Sequence, residues 1–157
     1  MADHAVEGDD GEIFIYRGGR RAPWNVAHAR IDKSIDEIED NAFRGCVHLV
    51  QVETHDGIRK IGVDAFWGCK SLRRISLKSA VEISAGAFFG CESLEYVEFS
   101  DYLEIIGHSV FAGCALKHLK LPTIIAIGLG AFCNCKCLTD IESVSYTHLT
   151  LPTTPYV

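Results

Sequence analysis

The chain has 157 residues, enough for one domain with a substantial core. Its 48% apolar content excludes disorder as the default, and no apolar run reaches the roughly 18 residues of a membrane span. The formal charge of -6 is uneven. Asp3, Glu7, Asp9, Asp10 and Glu12 precede the first basic residue, Arg17, and without those five the 21 acidic residues fall to 16 against 15 basic ones, a net of -1. A nearly neutral body argues against electrostatic capture of nucleic acid.

Residues 1–11 read as an acidic, mobile leader. Residues 12–37 follow as an N-terminal cap and half repeat. EIFIYRGGRRAPW (12–24) starts with alternating apolar residues and carries a Gly-Gly turn. It is expected to pair on the first coil, with Ile13, Ile15 and Trp24 covering it. VAHARIDKSIDEI (26–38) is the second half of a repeat unit, because Val26, Ala29 and Ile31 align with Leu72, Ile75 and Leu77.

Five repeats then fill residues 38–142. AFRGC, AFWGC, AFFGC, VFAGC and AFCNC set the register. Their phenylalanines are Phe43, Phe66, Phe88, Phe111 and Phe132, and their cysteines Cys46, Cys69, Cys91, Cys114 and Cys135. A leucine follows each (Leu49, Leu72, Leu94, Leu116 and Leu138), then a strand-like run such as LRRISL (72–77) or LEYVEF (94–99). Copy four is one residue short between Cys114 and Leu116. The spacing of 21–23 residues between copies suits one strand and one compact turn per coil. Such coils bury their apolar face only by stacking. Phe66 and its equivalents should form a buried ladder opposite the strands. Ala65 should sit where coils approach closely, and Cys69 should behave as a small buried hydrophobe. Gly68 should take a positive φ, since copy five has Asn134 there and asparagine tolerates that region best after glycine.

The pattern I-G-x-x-A-F-x-G-C-x-x-L-x-x-I-x-L resembles the BspA-like leucine-rich repeat, over roughly residues 35–142. The resemblance implies an α/β-type right-handed solenoid, with a short parallel β-sheet on one face and short turns or helical turns on the other. It also implies binding to proteins or cell surfaces. The chain departs from the common form in lacking a Pro-x-Ser-Val turn, apart from Leu121-Pro122-Thr123.

Residues 143–157, SVSYTHLTLPTTPYV, carry neither Ala-Phe nor Gly-Cys. They read as an atypical tail, native or derived from read-through, and as protease-sensitive. In the second case the protein continues further. With no secretory h-region, no Asn-x-Ser/Thr sequon and an odd number of cysteines, the expected setting is reducing and intracellular, cytoplasmic.

Several short patterns suggest chemistry. Cys133, Cys135 and Cys137 form C-x-C-x-C, which elsewhere holds soft metals or redox pairs. Here Cys135 is the repeat cysteine, and no histidine follows at ligand spacing. Gly128-Leu129-Gly130 lacks the remainder of a phosphate loop, and register equates Gly128 with Gly62 and Gly107. Arg17-Gly18-Gly19-Arg20-Arg21 is a basic turn able to meet phosphate, or simply a solvated loop. His48 and His108 fall at variable, exposed positions. No grouping supplies a nucleophile, base and oxyanion donor, so the chain reads as non-enzymatic, with no cofactor and no metal.

Binding is expected on the outer side of the strands. One column there is His28, Gln51, Arg74, Tyr96, His118 and Asp140. The next is Arg30, Glu53, Ser76, Glu98, Lys120 and Glu142. The partner-binding face is therefore assigned to Arg74, Tyr96, His118, Gln51, Glu53, Ser76, Glu98 and Lys120. Tyr96 sits centrally, between Arg74 and His118, and aromatic and arginine side chains anchor interfaces. The expected partner is a protein or peptide, without nucleic acid and without membrane insertion. A poorly capped coil would also permit an end-to-end dimer. Two alternatives stand beside this reading. One is a structural or recognition fragment of a larger receptor, adhesin or enzyme. The other is a metal-thiolate protein using the C-x-C-x-C turn.

Overall fold

The computed structural model describes residues 11–122 and 126–143. Most of the leader, Thr123 and all but the first residue of the tail lie outside the described residues. Among the described residues twelve strands follow one another: β1 (Ile13–Tyr16), β2 (His28–Ile31), β3 (Glu37–Ile38), β4 (Gln51–Glu53), β5 (Lys60–Ile61), β6 (Arg74–Leu77), β7 (Glu82–Ile83), β8 (Tyr96–Phe99), β9 (Ile105–Ile106), β10 (His118–Leu121), β11 (Ala126–Ile127) and β12 (Asp140–Ser143). Every pairing is parallel. The result is a β-solenoid with one coil per repeat.

Two strand ladders run along it. The longer strands β1, β2, β4, β6, β8, β10 and β12 stack on one face. The two-residue strands form a continuous sheet in the order β11-β9-β7-β5-β3. Its inward residues include Ile38, Ile61, Ile83 and Ile106, all fully buried.

A third ladder lies in the Ala-Phe turns. The N–H groups of Asp64, Phe66 and Gly68 donate to the carbonyls of Ala85, Ala87 and Phe89 in the next coil, at 3.0, 2.7 and 2.8 Å. The intervening N–H groups of Ala65, Trp67 and Cys69 bond three residues back, to Gly62, Asp64 and Phe66. This accounts for a departure from expectation. No helix occurs among the described residues, so the helical turns anticipated opposite the strands are replaced by extended pairs and tight turns. Alternate donors serve the neighbouring coil and leave no i to i−4 ladder. Positive φ at Asp64 (54°) and Gly68 (71°) also interrupts any right-handed helix.

The glycine position behaves as expected: Gly45, Gly68, Gly90, Gly113 and Asn134 all have positive φ. A second such position precedes Ala-Phe, at Asn41, Asp64, Gly86, Ser109 and Gly130. Its mixture of residue types hid it in the sequence. Gly62 has another purpose: a Cβ there would lie 2.5 Å from the backbone nitrogen of Asp40.

The core is a column of aromatic rings. Phe43, Phe66, Phe88, Phe111 and Phe132 stack nearly parallel, with centroids 5.0–5.7 Å apart. Ala42, Ala65, Ala87 and Ala131 are buried beside them. At the N-terminal end Tyr16 meets Phe43 at 5.3 Å and Phe14 meets it edge-on at 6.5 Å. The cap pairs on the first coil through β1 and β2, with Ile13 opposite His28. The residues that cover the core are Phe14 and Tyr16, however, and not Ile13, Ile15 and Trp24. Ile13 is exposed, and Trp24 is 59% exposed. Alternation along a strand allows only one of these two sets to face inward.

Candidate protein interface

The register of the longer strands creates the outer face. Arg74 pairs with Tyr96 and Ser76 with Glu98 between β6 and β8; His28 pairs with Gln51 and Arg30 with Glu53 between β2 and β4. His118 and Lys120 pair with Asp140 and Glu142 between β10 and β12. The alternate residues Ala29, Val52, Ile75, Val97 and Leu119 are buried. Both columns read from the sequence therefore exist. The face also gains a seventh rung, β1.

The face is not one continuous sheet. It divides into β1-β2-β4, β6-β8 and β10-β12. The first break falls at Thr54, which occupies the core position held by Ile31 and Leu77 in other coils. Its hydroxyl donates to the carbonyl of Ser76 at 2.7 Å, and β4 ends one residue early. A cleft of about 440 Å³ opens there, lined by Gln51, Glu53, Thr54, His55, Ser76 and Lys78 among others. The second break separates Tyr96 from His118, beside the coil that is one residue short.

Charged side chains on the face divide into paired and free. Arg30 donates to Glu53 at 2.5 Å, a hydrogen bond that holds this carboxyl below its ordinary range. Lys117 meets Glu95 at 3.5 Å, and Lys78 meets Glu98 at 3.6 Å. Ser76 donates to Glu98 at 3.0 Å. Arg74, His118 and Lys120 are exposed and hold no ion pair among the described residues. Tyr96 is 54% exposed.

The remaining sequence patterns resolve into architecture. The Cys135 thiol is buried and donates to the carbonyl of Phe111 at 3.0 Å, whereas Cys137 is exposed. The C-x-C-x-C turn thus points its sulfurs into different surroundings, and no group of three or more candidate ligands among the described residues is arranged to hold a metal. A Cβ on Gly128 would strike the backbone of His108, so this glycine serves coil stacking. In the basic turn, Gly19 N–H donates to Glu39 at 3.0 Å, Arg21 donates to the carbonyl of Arg44 at 2.6 Å, and Arg17 meets Asp32 at 3.6 Å. His108 and His48 are exposed as expected, but His108 Nδ1 also accepts the Leu129 N–H at 2.9 Å.

One cluster was not anticipated. On the turn face Trp67 stacks on Phe89 at 5.9 Å, and the Arg44 guanidinium lies 4.6 Å from the Trp67 ring while pairing with Asp64 at 2.9 Å. Its sequence signal was the variable residue of A-F-x-G-C, aromatic in two consecutive coils.

A coil of one longer and one two-residue strand, repeated every 21–23 residues with a phenylalanine ladder and parallel pairing, defines a leucine-rich-repeat solenoid. The chain belongs to the BspA type leucine-rich repeat family, whose repeat region matches residues 23–146 in six copies. It is similar in structure to a leucine-rich repeat protein of T. pallidum, with a TM-score of 0.70 and 30% identity over 83% of this chain and 73% of that one. A leucine-rich cell surface protein of Faecalibacterium prausnitzii aligns with a TM-score of 0.57 and 25% identity, over 86% of this chain and 48% of its own. The pneumococcal vaccine antigen PcpA aligns with a TM-score of 0.59 and 26% identity, over 82% of this chain and 33% of its own. No curated protein matches the chain. Among the described residues no helix is long and apolar enough to cross a membrane.

Proposed function

We propose that the chain is a non-enzymatic recognition module that binds a protein or peptide across its strand face. The observation that carries this reading is the row Arg74, Tyr96 and His118. These side chains are exposed and free of ion pairs among the described residues, and they are mounted on strands whose inner residues are fixed in the core. A rigid backbone lowers the ordering cost of binding. Family membership supports the coarser statement, since leucine-rich repeats are generally protein-interaction modules. A reducing, intracellular setting belongs to the same proposal, and the five repeat cysteines, buried as thiols, suit it.

The test is affinity capture from source lysate with the full chain, beside the Arg74→Ala/Tyr96→Ala/His118→Ala form. A partner retained by the first and lost by the second is the expected result. Equal capture by both would remove the strand face from consideration.

A second reading is favoured by the greater length of two similar proteins, of which this chain spans 48% and 33%. The solenoid is then the recognition segment of a larger receptor, adhesin or enzyme. Recovery of a longer transcript from the source would support it.

A further inference from the structure

The charge of the strand face runs against that of the chain. The whole chain carries -6. The fourth to sixth face rungs, around β6, β8 and β10 (residues 72–78, 94–100 and 116–122), hold five basic residues against two acidic ones. Both acids, Glu95 and Glu98, are already neutralised, by Lys117 and Lys78. Arg73, Arg74 and Lys120 remain exposed and without an ion-pair partner among the described residues. Arg74 stands opposite Tyr96 between β6 and β8, Arg73 precedes Arg74 in the chain, and Lys120 lies on β10, the neighbour of β8 on the other side. The positive zone is narrow, because Asp140 and Glu142 follow it on the same face and the charges that precede it, Arg30 and Glu53, are paired with each other.

We infer that the partner is recognised through a short, acidic, extended peptide segment laid across these three rungs. This rests on the strand-face reading above and names the chemistry of its ligand. Carboxylates of the segment meet Arg73 and Arg74 on one side of Tyr96 and Lys120 on the other. Tyr96 supplies flat apolar area between them. Two steps of about 4.8 Å between rungs, plus the reach of the side chains, accommodate roughly four or five extended residues. A long polyanion such as a nucleic acid strand would run onto Asp140 and Glu142 at one end and gain no free cation from the Arg30–Glu53 pair at the other. It would also find a single exposed aromatic on the patch, whereas single-strand binders stack successive bases on several.

The experiment is fluorescence anisotropy with the full chain and labelled nonapeptides. One probe has four central Asp/Glu residues in a Gly/Ser frame; another has Asn/Gln at the same places; the third probe is a dT decamer. The acidic peptide is expected to bind at least about tenfold more tightly than its neutral counterpart, and more weakly as salt rises through the screening range. Arg73→Ser/Arg74→Ser/Lys120→Ser should abolish binding without changing the thermal unfolding curve. Trp67→Ala, on the turn face, should leave binding intact. Equal binding of the neutral peptide, lost in Tyr96→Ala, would overturn acidic recognition and keep the strand face. Acidic binding indifferent to every face substitution would overturn both. Preference for the decamer, or no peptide binding, would overturn the acidic-peptide inference alone and leave the face to the capture experiment.

Discussion

The thiol of Cys69 donates a hydrogen bond to the carbonyl of Phe43, one coil back, at 3.1 Å. Cys91 repeats the contact with Phe66, Cys114 with Phe88 and Cys135 with Phe111, at 3.0–3.1 Å. The repeat cysteine is therefore more than a small apolar filler. It is a weak donor that ties each turn to the previous coil, with less desolvation than a hydroxyl would incur. Thiol titration of the native chain should find Cys137 reacting first and Cys133 next, with the five ladder thiols silent until denaturant is added. Cys69→Ala should cost about 1 kcal/mol in urea unfolding, from lost packing and a lost weak hydrogen bond. Rapid native modification of all seven thiols would contradict this.

Burial also sets a pH dependence. It pushes the thiols of Cys46 and Cys135 from an ordinary value near 9 up to about 11, and raises those of Cys69 and Cys91 as well. Above pH 9 the unfolded chain releases these protons while the folded chain retains them. Stability from this source is thus complete below about pH 9 and declines as pH climbs toward 11. Urea midpoints measured from pH 7 to 10.5 should fall. The fall should be shallower in Cys46→Ala/Cys135→Ala, which separates the thiols from lysine and tyrosine ionisation in the same range.

The ring column predicts a gradient of mutational cost along the solenoid. Phe88 stacks on both sides, against Phe66 at 5.1 Å and Phe111 at 5.4 Å. Among the described residues Phe132 stacks only on Phe111, at 5.7 Å. Phe88→Ala should cost about 3–5 kcal/mol, the usual range for a buried phenylalanine. Phe132→Ala should cost less, because one neighbouring coil is affected where Phe88 has two. Equal costs in chemical denaturation would mean that the coils do not unfold as nearest neighbours.

Much of this was legible because a repeat prints its own register. Five copies of Phe66's environment fixed the buried ladder, the glycine turn and both outer columns, including the place of Tyr96 beside Arg74. The cap was misread because it occurs once. IFIY alternates under either phase, and only the pairing of Ile13 with His28 selects Phe14 and Tyr16 as the inward pair. Helical turns were expected because the turn sequence does not reveal that the Asp64, Phe66 and Gly68 donors serve the next coil. The Arg73, Arg74 and Lys120 patch was hidden for a different reason: charge neutralisation by Lys78 and Lys117 depends on distances across rungs.

Thr54 offers the sharpest test of how the face is divided. It stands where Leu77 is buried in the following coil, and its hydroxyl takes the Ser76 carbonyl in place of a main-chain donor. Thr54→Leu should restore the apolar position and let β4 and β6 pair continuously. The expected gain is about 1 kcal/mol, from apolar burial offset by the lost hydroxyl bond. Amide exchange should slow at Thr54 and along Arg74–Leu77, and the cleft beside Gln51 and Glu53 should shrink. If the partner segment seats a side chain in that cleft, Thr54→Leu will weaken binding while raising stability. Faster exchange with lower stability would mean instead that the break is required by the coil geometry, with Thr54 as its adaptation.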